Sequence, residues 1–122
     1  MKKSWTNWFE IPAADFERAV KFYETIFDIQ LAINDFGNLK MAIFPHEEGG
    51  AAICWSPGWY NPGAGGVTVY MDAEPDLQVV LDRVEKAGGK IIQVKKLISP
   101  ENGHMALFTD SEGNRMALHS MK

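Results

Sequence analysis

Residues 41–44 read Met-Ala-Ile-Phe, and residues 105–108 read Met-Ala-Leu-Phe, 64 positions further on. Each phrase is followed at the same distance by Glu-Gly, at Glu48-Gly49 and again at Glu112-Gly113. In a chain of 122 residues that spacing is about half the length. Self-similarity at such a period marks a duplicated module, and two copies of one module share a core and frame one site between them. The fold must be one that can be built twice.

The local patterns repeat in the same order. Residues 5–12 are aromatic-rich and end at Pro12, which reads as a strand. Asp15 is placed to cap a helix in which Phe16, Ala19, Val20, Phe22, Tyr23, Ile26 and Phe27 recur at helical spacing. Residues 28–33 form a short strand, Asp35 to Asn38 a hairpin turn, and residues 39–44 and 51–55 two further strands. The second half offers a strand at 67–71, a cap at Asp76 and a helix stripe of Leu77, Val80, Leu81, Val84 and Ala87 closed by Gly88-Gly89. Strands at 91–94, 105–108 and 115–119 follow, the last two flanking a turn at 110–114. The reading is a single α+β domain over residues 1–122. It holds two tandem β-α-β-β-β modules, residues 5–55 and 67–121, joined by a glycine- and proline-rich linker at 56–66.

Composition removes several classes of function. A net charge of −4 with no basic stripe argues against a nucleic-acid partner. No apolar run approaches the ~20 residues of a membrane span, and residues 1–7 lack the apolar centre of a signal peptide. Cys54 is the only cysteine, so no disulfide forms within the chain and a reducing, cytoplasmic setting is expected. Between Ile53 and Trp55, it reads as a small buried hydrophobe rather than a nucleophile. No glycine-rich phosphate loop is present, and Ser56, Ser99 and Ser120 lack a nucleophile-elbow context.

Three stretches carry a family. Ile11 to Glu24 (Ile-Pro-Ala-Ala-Asp-Phe-Glu-Arg-Ala-Val-Lys-Phe-Tyr-Glu) resembles the first-module helix of the vicinal oxygen chelate superfamily. That group includes glyoxalase I, the extradiol dioxygenases and the fosfomycin- and bleomycin-resistance proteins. Val84 to Lys90 resembles its second helix end, and Asp110 to Ser120 resembles its closing Asp-Pro-x-Gly-Asn turn and last strand. The resemblance spans residues 7–120. It implies mixed sheets curled around a cavity, often within a homodimer. For the family's enzymes it implies a divalent metal held by His and Glu on the first and last strands of each module.

Carried over residue by residue, the metal ligands are not there. The first His falls on Trp8, and the matching window of the second module is Val67-Thr68-Val69. Ala51 to Cys54 occupy the first module's last strand, and the usual Glu falls on Ala117. A catalytic divalent site needs about three protein ligands, so no metal or other cofactor is expected.

Glu10 and His119 lie two residues from Trp8 and Ala117 and share their strand faces. Facing each other, they form a candidate acid–base pair, an incomplete metal site or a simple hydrogen-bonded pair. His46 and His104 read as solvated loop residues, and Glu47, Glu48, Asp110 and Glu112 as turn residues. Trp8, Trp55, Trp59, Tyr60 and Tyr70, with Trp5, border the expected cavity and are its candidate ligand-binding set. Such a set suits a planar or cationic ligand. Four Trp, seven Phe and six Met are many to bury in so short a chain, which favours a homodimer.

The expectation is a metal-free, glyoxalase-like protein that binds a small organic molecule. Two alternatives stay open. One is a glyoxalase-type lyase or isomerase acting on a small carbonyl compound, with Glu10 or His119 moving a proton. The other is a dimeric scaffold whose pocket is filled.

Overall fold

The duplicated cap is the clearest link from sequence to structure. The computed structural model describes residues Met1–Lys122. Asp15 has extended backbone and accepts the Arg18 amide at 3.1 Å, which starts helix α1, Phe16–Phe27. Asp76 does the same for the Gln78 amide at 2.9 Å, starting α2, Leu77–Val84. Both helices bury the stripe that their spacing predicts: Phe16, Ala19, Phe22, Tyr23 and Ile26 in α1, and Leu77, Val80, Leu81 and Val84 in α2.

The strands are β1 (Trp8–Pro12), β2 (Ala32–Asp35), β3 (Lys40–Ile43) and β4 (Gly50–Trp55) in the first module. The second holds β5 (Tyr70–Asp72), β6 (Lys90–Ser99), β7 (Gly103–Thr109) and β8 (Arg115–Ser120). They form two four-stranded sheets, ordered β1-β4-β3-β2 and β5-β8-β7-β6. In each, the module's first strand runs parallel to its last and the other pairs are antiparallel. The repeated Met-Ala-Ile/Leu-Phe phrase lies on the equivalent strands β3 and β7. The Glu-Gly that follows ends equivalent turns, where Gly49 (φ 46°) and Gly113 (φ 90°) take the left-handed backbone that glycine tolerates best.

Register decides which way each side chain points. Ile11 pairs with Ile53, and Ile53 with Ala42; all three are buried under the helices. Trp8, Glu10 and Pro12 therefore project to the other face, beside Gly50, Ala52 and Cys54. In the second sheet Met71, Leu118 and Ala106 lie under the helices, so Tyr70, Asp72, Ala117 and His119 share the open face.

The second module's turn ties the halves together. Buried Tyr23 donates its hydroxyl to Asp110 Oδ2 at 2.6 Å, and Asn114 Nδ2 donates to the Pro12 carbonyl at 2.8 Å. Glu112 accepts the Ala14 and Asp15 amides at 2.9 and 2.7 Å and the Arg18 guanidinium at 2.7 Å. That places a carboxylate at the positive end of α1. No buried side-chain nitrogen or oxygen lacks a partner.

Four strands differ most from expectation. β6 runs ten residues rather than the four at 91–94. Lys95 and Lys96 interrupt its apolar pattern, yet an edge strand tolerates lysine, and Lys95 turns back to Asp76 at 2.8 Å. β5 is three residues long instead of covering 67–71. Tyr70 pairs with Ala117, so Thr68 would meet Arg115, where β8 only begins. β1 starts at Trp8, leaving Trp5 exposed, and β2 is displaced to Ala32–Asp35.

Candidate functional site

On the open face of the first sheet, Gly50 lets an indole lie against the backbone. A Cβ there would sit 2.6 Å from the Trp8 ring and 2.9 Å from His46 Nε2. Trp8 meets the His46 ring edge-on at a centroid distance of 6.0 Å. Its indole N–H points to Glu10 Oε2 at a long 3.4 Å. Tyr60, carried in by the linker, donates its hydroxyl to Glu10 Oε1 at 2.7 Å. Burial, followed by that bond, raises the Tyr60 phenol well above its ordinary value, so it stays a donor. Cys54 is fully buried below; burial, followed by the Glu10 charge, pushes its thiol up to about 11. The thiol is held protonated, and a nucleophilic role has no support.

Glu10 also stands on the wall of a cavity of about 520 Å³ between β1, the end of the linker and the start of β8. Phe9, Val67, Val69 and Met116 give it apolar walls, and Arg115 lies at its side. The only hydrogen bond of the Arg115 guanidinium is to Thr68 Oγ1 at 3.3 Å. No acid lies within 4.0 Å of Arg115 and no base within 4.0 Å of Glu10, so each keeps an unneutralised charge. Asn114 is fully engaged: its Oδ1 accepts the Gly63 amide at 3.0 Å, and its Nδ2 donates to Pro12 and Asp110. It holds the linker over the cavity. Arg115 is a cavity residue that the sequence reading did not single out. Its only signal was its place directly after the Asp-x-x-Gly-Asn turn.

Of the candidate residues, Trp8, Glu10 and Tyr60 come together and the rest do not. Trp55 is corrected: two residues from Ile53, it lies on the helix side of the sheet, with Lys40 Nζ 5.2 Å from its ring. Trp59 is 77% exposed at the linker tip, and Tyr70 is 52% exposed on the open face of the second sheet. The Glu10–His119 pair does not form, since no ion pair joins them within 4.0 Å. His119 Nε2 instead donates to the Asn102 carbonyl at 2.6 Å. The reason is strand direction. The start of β8 reaches Glu10, and His119 lies four residues beyond Arg115, roughly 13 Å along an extended strand. His104 faces the Met121 carbonyl at 3.3 Å, and His46 stays exposed in its turn, with its ring meeting Trp8 on one side.

The metal positions can be tested on the fold. Ala13 donates to the Cys54 carbonyl as Ala73 does to that of His119, which makes Trp8 equivalent to Thr68 and Ala52 to Ala117. An indole, a hydroxyl and two methyls do not make a metal site. Nowhere in the chain do three or more His, Cys, Asp or Glu residues converge on a common point. No orphaned buried polar atom marks a displaced ligand either. The residues do not fit a divalent ion.

Comparisons with known proteins agree with this architecture. A glyoxylase/bleomycin resistance protein/dioxygenase domain from Frankia sp. EAN1pec superposes with a TM-score of 0.72 at 14% identity, covering 100% of this chain and 99% of its own. A glyoxalase-related enzyme from Fulvimarina pelagi gives 0.72 at 12% identity, covering 98% and 88%. A glyoxalase/bleomycin resistance protein from a Streptomyces species gives 0.66 at 19%, covering 94% and 99%. At these identities the likeness is one of fold. A search among curated proteins finds no match. No helix is long and apolar enough to cross a membrane. The family model for the Glyoxalase/Bleomycin resistance protein/Dioxygenase superfamily matches residues 5–118. The chain belongs to that superfamily.

Proposed function

We propose that this protein binds a small organic molecule without a metal, in the cavity between β1 and the start of β8. The observation that carries the reading is the pair of unneutralised charges at that cavity, Glu10 and Arg115, set among apolar walls. Both side chains are exposed to solvent, so each charge is open to a complementary group of a ligand seated against the apolar walls. The fitting ligand is bifunctional. An anionic group meets Arg115, an ammonium or hydroxyl donor meets Glu10, and a short apolar body lies on Phe9, Val69 and Met116. Trp8 and Tyr60 hold the Glu10 carboxylate at the rim, and an ammonium there gains a cation–π contact. Of the five candidate rings only Trp8 and Tyr60 reach Glu10, and the cavity's own aromatic wall is Phe9. An acid–base mechanism that pairs Glu10 with His119 lacks the necessary approach of the two groups.

Thermal-shift and calorimetric titration with small amino acids, amines and carboxylates tests the reading, because a ligand that binds only the folded state raises Tm. Bifunctional compounds are expected to bind, and Glu10→Gln or Arg115→Ala to weaken them at least tenfold. Equal binding by the variants would sink the proposal.

The same reading includes a homodimer. β6 is a ten-residue edge strand with Val94 64% and Leu97 53% exposed, and a second copy of the chain covers such an edge. Light scattering should give twice the 13.7 kDa chain mass, and Val94→Lys should give the monomer. A monomeric mass at high micromolar concentration would contradict it.

A further inference from the structure

The duplication that builds the fold also builds the cleft between the sheets twice. In the cavity above, the first module supplies its leading strand, Phe9 to Pro12, and the second supplies Val67, Val69 and the start of β8. A second cavity, of about 380 Å³, exchanges these roles. There the leading strand is β5, with Tyr70, Met71 and Asp72, and the first module supplies Phe9, Gly49 of the turn before β4, and Ala51 in β4. The equivalence fixed by Ala13 and Ala73 places Tyr70 at the position of Glu10, and Asp72 at that of Pro12. The two cavities are copies whose chemistry has diverged.

Tyr70 and Gly50 stand where the first copy has Glu10 and Arg115, and Phe27, Ile29 and Phe44 add apolar walls to the second cavity. Phe27 meets Phe44 edge-to-face at 6.4 Å and 82°, and Phe44 meets Tyr23 at 5.8 Å and 73°. Another ring in the cavity would extend that series in the geometry aromatic rings prefer. The polar groups at the rim are mainly acceptors. His46 Nδ1 donates to the Phe44 carbonyl at 2.9 Å, which leaves Nε2 as the acceptor of the neutral ring. One oxygen of Asp72 takes the Glu74 amide at 3.0 Å, and no cation lies within 4.0 Å of this carboxylate. Its volume falls within the ~300–1,000 Å³ usual for small-molecule pockets.

We infer that this second cavity binds a compact aromatic molecule carrying a hydrogen-bond donor, of the phenol or arylalkylamine class. The ring sits against Phe27 and Phe44, and the donor faces Asp72 and His46. The site is distinct from the one at Glu10, with Phe9 the one residue that lines both cavities.

Amide-resolved NMR titration of the intact protein with phenol and with benzylamine tests it. Saturable shifts are expected at residues 44–51 and 70–72. Ala51→Leu, which fills the cavity, should weaken both probes at least tenfold, and Asp72→Asn should weaken benzylamine more than phenol. If Ala51→Leu does not fold, Ile29→Phe fills the cavity from the opposite wall with the same expectation. Three results would overturn the inference: no saturable shifts, shifts confined to the surroundings of Glu10 and Arg115, or undiminished binding by a folded cavity-filling variant. Shifts at Glu10 alone would leave the functional reading intact, so the two proposals fail independently.

Discussion

The turn between β3 and β4 and the turn between β7 and β8 descend from one repeated phrase, yet they have opposite fates. In the second, Asp110 and Asn114 are buried, and Glu112 has no exposed side-chain surface. All three reach across to the first module. In the first, His46, Glu47 and Glu48 stay exposed, and neither glutamate bonds to another part of the chain. A duplicated chain needs one copy of such a turn to latch its halves. The other copy is then free to diverge, and it borders the Trp8 corner and the second cavity.

The largest effect is expected at Asp110, which accepts from Tyr23, from the Glu112 and Asn114 amides and from Asn114 Nδ2. Asp110→Ala leaves several buried donors without a partner. It should cost about 3–5 kcal/mol in urea unfolding, the range for removing the charged member of a buried network. A loss below about 1 kcal/mol would mean that the turn is not the latch.

Gly50 comes next, because the first turn hands the chain to β4 under the Trp8 ring. Gly50→Ala puts a methyl 2.6 Å from that ring and should cost about 1–3 kcal/mol through overpacking. Trp8 fluorescence should shift as the indole is displaced from Glu10. An unchanged spectrum would show that the ring is not seated there.

How much of this was legible in the sequence follows from the range of each interaction. The caps at Asp15 and Asp76, the helix stripes and the Glu-Gly turns are local, and period and residue type reveal them. Trp55 was misplaced because an aromatic in a strand reads the same on either face until Ile53 fixes the parity. The Glu10–Arg115 cavity and the role of Glu112 join residues about a hundred positions apart, and no local pattern encodes that approach. The resemblance located the metal positions without showing that Asn114 folds the linker across the cavity.

Glu112 allows the latch to be tested by pH. Burial pushes its carboxyl up, but the Arg18 guanidinium and the Asp15, Ser111 and Ala14 donors outweigh it and hold the group below its ordinary value. With the folded pKa depressed, the stabilisation is fully present above the unfolded carboxylate pKa. It is lost as the pH falls through the folded one. Stability of the wild type should therefore drop through the acid range more steeply than that of Glu112→Gln. At neutral pH the variant should lose about 1–2 kcal/mol, mostly from weakened charge-assisted bonds. Parallel acid profiles would remove Glu112 from the latch.

The smallest effect belongs to the counterpart in the first turn. Glu48 occupies the repeat position of Glu112, two residues before the first residue of β4, but it is exposed and holds no helix terminus. Glu48→Ala should change unfolding free energy by no more than about 0.5 kcal/mol, as expected for a surface residue outside any network. Its acid profile should match the wild type. If Glu48→Ala matched the loss at Glu112→Gln, both turns would be latches, and the asymmetry that leaves the first copy free to line a cavity would be gone.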